Sequence, residues 1–167
     1  MMDIIVVMKL LTKNTDYATR ALLHLAKHQG DWIPSRRIAE TEGIPLTFVR
    51  QILGVLVREG LVRSREGAEG GLQLCKDPAQ VPLLEVIRLF QGEVEIAACL
   101  FHHEICPNRA TCVLRRRIEV IRRAVEEQFG AITLASLLEE MGSCSSPATL
   151  RSPENEVSQT SEASKEA

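Results

Sequence analysis

No run of apolar residues in this 167-residue chain is long enough to cross a bilayer. The first apolar stretch, Ile4–Val7, is too short for the hydrophobic region of a secretory leader and follows Asp3 rather than basic residues. The expectation is a cytoplasmic protein without membrane association. Charge of neither sign dominates: 20 Lys and Arg face 22 Asp and Glu, a formal net charge of −2. A nucleic-acid surface would therefore have to come from the distribution of charge, not its total. There is no glycine-rich nucleotide loop and no nucleophile placed with a base, so no enzyme is expected. Internal repeats are absent. The cysteines number five, an odd count that suits ligands or redox chemistry in a reducing compartment better than a disulfide framework.

Three of those cysteines cluster. Cys99, Cys106 and Cys112 are separated by six and then five residues, and Pro107 and Asn108 make the segment a loop. Directly after it, Val113, Leu114, Ile118, Ile121, Val125 and Phe129 recur at helical spacing. Cys112 thus falls in or beside the first turn of a long helix, where the partial positive charge of the N-terminus favours an anionic sulfur. Three soft sulfur ligands on one loop fit a metal or iron–sulfur site that is one ligand short of closure. Cys75 lies in an apolar strand pattern and reads as a small buried residue. Cys144 lies in a polar tail.

Taken in order, residues 1–8 read as an extension, with Met8 as an alternative start. Residues 9–80 carry eleven Lys or Arg against eight Asp or Glu, about +3, and the remainder is acidic. A helix is expected from Asn14 to His28, with Ala18, Ala21, Leu22, Leu25 and Ala26 on one face and Thr12, Asn14 or Thr15 as cap. Ser35 is the expected N-cap of a second, short helix, with Ile38 and Ala39 inward and Gly43 as its stop. A third runs from Leu46 to Glu59, burying Val49, Ile52, Leu53 and Leu56. Two helices joined by a short turn containing Gly form a helix-turn-helix pattern. Its second helix turns Thr47, Arg50, Gln51 and Arg58 outward, and Arg and Gln can read base edges. The plain alternative is a polar helix face in water. The alternating segments 61–65 and 72–75, parted by the glycine-rich 66–71, then predict a β-hairpin, which makes the unit a winged helix. Gly70 and Gly71 are turn chemistry on one reading; on the other they let bare backbone approach phosphates beside Arg63 and Arg65.

A helix from Pro82 to Gln91 follows, and then a long one from about Ala110 to Phe129. The stripe 114, 118, 121, 125 and 129 suggests a dimer interface, with packing back on its own domain as the alternative. Arg115, Arg116, Arg117, Arg122 and Arg123 read mainly as a solvated face. Thr133 opens a last short helix with Leu134, Leu137 and Leu138. From Gly142 the composition predicts disorder. The expected architecture is mainly α: an extension (1–8), a winged helix-turn-helix domain (9–80), a cysteine loop with dimerisation helices (81–141) and a tail (142–167).

Several segments, in this order and with these gaps, resemble the bacterial winged-helix regulators typified by IscR, NsrR and RirA. They are Met8–Thr12, Thr15-Asp16-Tyr17 with Arg20 and Leu22, Ile38–Glu40, Ile44–Leu53, Gly60–Val62, Gly67–Gly71, the three cysteines, and Thr133–Leu137. The resemblance spans about Met8 to Glu140. It implies a homodimer, a palindromic double-stranded DNA operator, usually repression, and an iron–sulfur cluster (2Fe–2S or 4Fe–4S) that senses redox state, nitric oxide or iron. Carried over by position, Cys99, Cys106 and Cys112 are the cluster ligands. IscR-like members add a histidine three residues after the third cysteine, but that position here is Arg115. NsrR-like members use an aspartate of the first helix from the other subunit, and the matching residue here is Asp16. His102, His103 and Glu104 are local rivals. The expected DNA-contacting set is Ser35, Thr47, Phe48, Arg50, Gln51, Arg63, Arg65, Gly70 and Gly71. In the wing, Glu66 stands where the family usually has the arginine preceding its first glycine, with Arg65 displaced by one. The rival reading is a winged-helix regulator that uses the cysteines for zinc, recruiting His102 or His103, or for thiol oxidation. An iron–sulfur carrier without DNA binding ranks last.

Overall fold

The computed structural model describes residues 11–67, 69–94 and 111–143. The helical periodicity seen in the sequence is realised as helix α1 (Lys13–Lys27), and of the three candidate caps it is Thr12 that serves, its Oγ1 accepting the Thr15 N–H at 3.3 Å. The inward face is as expected: Ala18, Ala21, Leu22, Leu25 and Ala26 are all buried. Helix α2 (Ser35–Glu42) ends at Gly43, whose φ of 63° is the left-handed conformation that glycine adopts at low cost. Helix α3 (Leu46–Arg58) buries Val49, Ile52, Leu53 and Leu56.

Ser35 is not the cap of α2. Ile33 is held extended by a reciprocal pair of 2.9 Å hydrogen bonds with Leu72, and Pro34 continues that extended course at φ −63° and ψ 140°. The Pro34 carbonyl then accepts from the N–H groups of Arg37 and Ile38, so Pro34 is the N-cap and Ser35 the first helical residue.

Strands β1 (Val62–Arg65) and β2 (Gly71–Leu74) pair antiparallel, with Val62 opposite Leu74 and Arg65 opposite Gly71. Ile33 adds a one-residue third strand on the far side of β2. Cys75 is exposed rather than buried. Strand β2 ends at Leu74, which takes the core position, and Cys75 follows exposed, its N–H donating to the Leu61 carbonyl at 2.9 Å.

A turn at Pro78–Gln80, capped by Asp77, leads to α4 (Leu83–Gln91). Helices α5 (Val113–Ala131) and α6 (Leu134–Ser143) complete the described chain. One core gathers α1 to α3 and the hairpin with Val81, Val86 and Leu134. A smaller cluster sets Val125, Phe129 and Ile132 against Leu83, Ile87 and Val94. The apolar stripe of α5 therefore divides along its length. Val125 and Phe129 pack against α4 in the same chain, whereas Val113, Leu114, Val120 and Ile121 stand 52–66% exposed. The N-terminal extension, Cys144 and the tail beyond Ser143 lie outside the described residues.

Candidate nucleic-acid interface and cluster ligands

Helix α3 is anchored by its buried face, so its opposite face is free to point outward. Thr47, Phe48, Arg50 and Gln51 are exposed there. Arg58 is exposed too, with Glu59 beside it at 3.9 Å. Phe48 also makes an edge-on contact with Tyr17 of α1, ring centroids 6.2 Å apart, which ties the start of α3 to the first helix.

A groove of about 480 Å³ runs between α3 and the hairpin. It brings together Ser35, Arg50, Arg65, Gly70 and Gly71, five residues of the set read from sequence, over a floor that includes Gly54. Two glycines of the hairpin and one of α3 leave backbone bare along it, and two guanidinium groups supply positive charge. Such a groove suits a phosphate backbone. Thr47, Phe48, Gln51 and Arg63 do not line it.

Arg63 and Arg65 stand two apart in β1 and so share the sheet face opposite Val62 and Ser64. Both guanidinium groups lie over the ring of Trp32, at 5.4 and 4.7 Å from its centroid. Arg63 is also held by Gln73, directly opposite it in register, through donated bonds of 3.0 and 2.6 Å. Arg65 donates to the Glu69 carbonyl at 2.5 Å. Neither Trp32 nor Gln73 was singled out from sequence. The hairpin register could have indicated Gln73 as the cross-strand neighbour of Arg63; Trp32 comes from a loop distant in sequence and gave no local sign.

Of the proposed cluster ligands, Cys112 and Asp16 are described and Cys99 and Cys106 are not; His102, His103 and Glu104 also lie outside the described residues. Cys112 is the N-cap of α5, and its Sγ accepts the Arg115 N–H at 3.4 Å. One of the free backbone N–H groups of the helix start thus points at this sulfur. Asp16 lies exposed in the first turn of α1, 4.0 Å from Arg20. Among the described residues no three His, Cys, Asp or Glu side chains gather as a metal site.

Around these residues, two polar networks fix the helices. Gln91, the last residue of α4, accepts from Thr12 N at 3.0 Å and from Thr15 Oγ1 at 2.9 Å, which locks the start of α1 beside the end of α4. Glu42 closes α2 against α1: its carboxylate meets His24 Nδ1 at 3.1 Å and Arg20 Nε at 3.5 Å, while Arg20 also donates to its carbonyl. On α5, the arginines divide. Arg122 and Arg123 bind Glu119 at 2.7 and 3.1 Å, and Arg122 binds Glu126 at 2.7 Å. These hydrogen bonds hold the Glu119 carboxyl at about 2, well below its ordinary 4.5, and the same pairing raises Arg122 further. Arg115, Arg116 and Arg117 are exposed.

The profile of the Rrf2 family, described as an iron-dependent transcriptional regulator, matches residues 11–140. Among curated proteins, the chain is 33% identical over 130 residues to the HTH-type transcriptional repressor NsrR of Streptomyces coelicolor, covering 77% of this chain and 87% of the relative. It is 29% identical over 144 residues to protein rrf2 of Nitratidesulfovibrio vulgaris, covering 86% and 96%. Among solved structures, T. potens IscR superposes with a TM-score of 0.67 at 25% identity, covering 85% of this chain and 94% of that one. CymR, the global cysteine regulator of B. subtilis, superposes with a TM-score of 0.65 at 27% identity, covering 80% and 98%.

Proposed function

The chain belongs to the Rrf2 family of transcriptional regulators, winged-helix proteins that are not enzymes, and from that premise we propose a homodimeric repressor whose DNA affinity is set by an iron–sulfur cluster. The ligands are Cys99, Cys106 and Cys112 of one subunit and Asp16 of the partner subunit. The observation that carries this reading is Cys112 at the N-cap of α5, because the same helix bears the exposed apolar stripe that a second subunit would cover. One helix thus joins a ligand to the dimer seam.

The residues suit such a group. The N-cap position fixes a sulfur at the start of α5, and Asp16 is an exposed carboxylate on a capped, well-anchored helix. When bound, an iron–sulfur cluster supplies a group that reacts with oxidants or nitric oxide. The chain's own residues do the rest. Cys112 couples ligation to the start of α5. Asp16 couples it to α1, which packs against α3 and α4. Helix α3 presents Arg50 and Gln51 to base edges of a palindromic operator, and the groove with Arg65, Gly70 and Gly71 takes the phosphate backbone. Two half-sites about one turn apart make affinity sensitive to the relation between the two α3 helices.

The test is an absorption spectrum with iron and sulfide analysis on anaerobically purified protein, beside an Asp16→Ala variant, with DNA affinity measured before and after cluster removal. Near-equal iron and sulfide, bleaching or instability of the variant, and a change of affinity on removal are expected. A brown variant indistinguishable from the parent would remove Asp16. Equal affinity with and without the cluster would remove the switch. The likeness to the global cysteine regulator CymR favours a second reading, a thiol or zinc switch on the same cysteines. A colourless protein even without oxygen would select it.

A further inference from the structure

We propose that Trp32 is a positioning residue of the DNA interface: it holds Arg63 and Arg65 side by side as a paired cationic surface for the phosphates of duplex DNA. The inference rests on the reading that these two arginines contact DNA. Trp32 is the only tryptophan in the chain. It precedes Ile33, whose two hydrogen bonds to Leu72 append this short segment to the hairpin as a third strand. The ring therefore stands one residue from the bridge to β2, and that bridge sets its distance from β1.

The chemistry is that of a platform. A guanidinium over an indole face is attracted by the ring quadrupole yet keeps its edge N–H groups available to an anion. Arg63 and Arg65 lie over this ring at 5.4 and 4.7 Å. Gln73, beneath them and only 7% exposed, accepts twice from Arg63 and fixes its rotation. Two long side chains that would otherwise sample many rotamers are thus ordered before DNA arrives. An arginine must lose that freedom to bind a phosphate, and loss of it beforehand lowers the cost of binding. The device also accounts for a wing that carries Glu66 ahead of its first glycine: the positive charge is gathered on the sheet face behind the tip.

The experiment is a double-mutant cycle on the full-length protein, with a labelled duplex enriched by that protein from a random library as probe. The variants are Trp32→Leu, Trp32→Phe, the Arg63→Ala/Arg65→Ala pair, and Trp32→Leu combined with that pair. Trp32→Leu keeps apolar bulk but has no π face, and it is expected to weaken binding about tenfold. Trp32→Phe restores most of the affinity. The arginine pair weakens binding and lowers the salt dependence by about two phosphate contacts. In the background lacking both arginines, Trp32→Leu has no further effect, which distinguishes positioning from a general loss of folded protein. A Trp32→Leu penalty equal in both backgrounds overturns the proposal, as does an arginine-dependent affinity that Trp32→Leu leaves intact. If the arginine pair itself changes nothing, the reading that these arginines contact DNA fails first, and the proposal falls with it.

Discussion

Gly71 occupies a place that no side chain can share. A Cβ there would lie 2.8 Å from the backbone N, C and O of Ile33, a separation that only backbone movement relieves. Gly71→Ala is expected to part Ile33 from Leu72 and to destabilise the protein by about 1–3 kcal/mol, measured as a shift of the urea midpoint. Glu42 is the second residue with a definite expectation. His24 is 4% exposed, its Nδ1 faces the Glu42 carboxylate, and its Nε2 has no hydrogen-bond partner among the described residues. Glu42→Ala strands a buried ring nitrogen at a cost of about 1–3 kcal/mol, while Arg20 keeps the residue-42 carbonyl and Asp16. Glu42→Gln keeps an acceptor and should lose less in the same measurement. The residues legible in the sequence are those governed by near neighbours. Ala18, Leu22 and Leu25 follow from spacing, and Thr12 was among three named caps. Pro34 displaced Ser35 as cap because Leu72, far along the chain, holds Ile33 extended. Cys75 turned outward because β2 ends one residue before it. Distant contacts decided both, and a local pattern carries no record of them.

At the scale of elements, α5 shows how far periodicity reaches. It announced a long amphipathic helix, and the helix is there, but it could not separate the part of the stripe packed on α4 from the part left for another molecule. Val125 and Phe129 took the first role, while Val113, Leu114, Val120 and Ile121 remain exposed. If the exposed N-terminal part is the dimer seam, Ile121→Asp should convert the protein to a monomer in analytical ultracentrifugation, with helix content retained because Val125 and Phe129 keep their packing on α4. The ion pairs of α5 give a pH expectation of known sign. Glu119 is held at about 2 against an ordinary 4.5, so its pairing with Arg122 and Arg123 stabilises fully above 4.5 and is lost as pH falls towards 2. The pairs are exposed, so the contribution is small and screened by salt. Urea midpoints followed down this range should fall less for Glu119→Gln than for the parent, and high salt should narrow the difference. The cluster ligands were legible as residue types and spacing. What spacing could not supply is where Cys99 and Cys106 lie relative to Cys112.

At the scale of the whole molecule, the packing says where a switch can act. Helices α1, α2 and α3, the hairpin, Val86 of α4 and Leu134 of α6 share one core. Core interiors are close-packed and move as units, so a signal has little room to reshape α3 within a subunit. The Gln91 bonds to Thr12 and Thr15 stiffen the same unit at its α1–α4 edge. The exposed seam of α5 is less constrained, because no residue of that helix is buried within its own chain. A cluster held by Cys112 of one subunit and Asp16 of the partner subunit would span that seam and set the angle between two otherwise rigid reading heads. A monomeric Ile121→Asp protein should bind a half-site weakly, with the same affinity in the presence and absence of nitric oxide or an iron chelator. The parent dimer on the full palindrome should respond to both. Titrating each protein against half-site and full-site duplexes by fluorescence anisotropy checks it. A monomer whose half-site affinity still follows the treatment would move the switch inside the subunit, into the contact between α1 and α3.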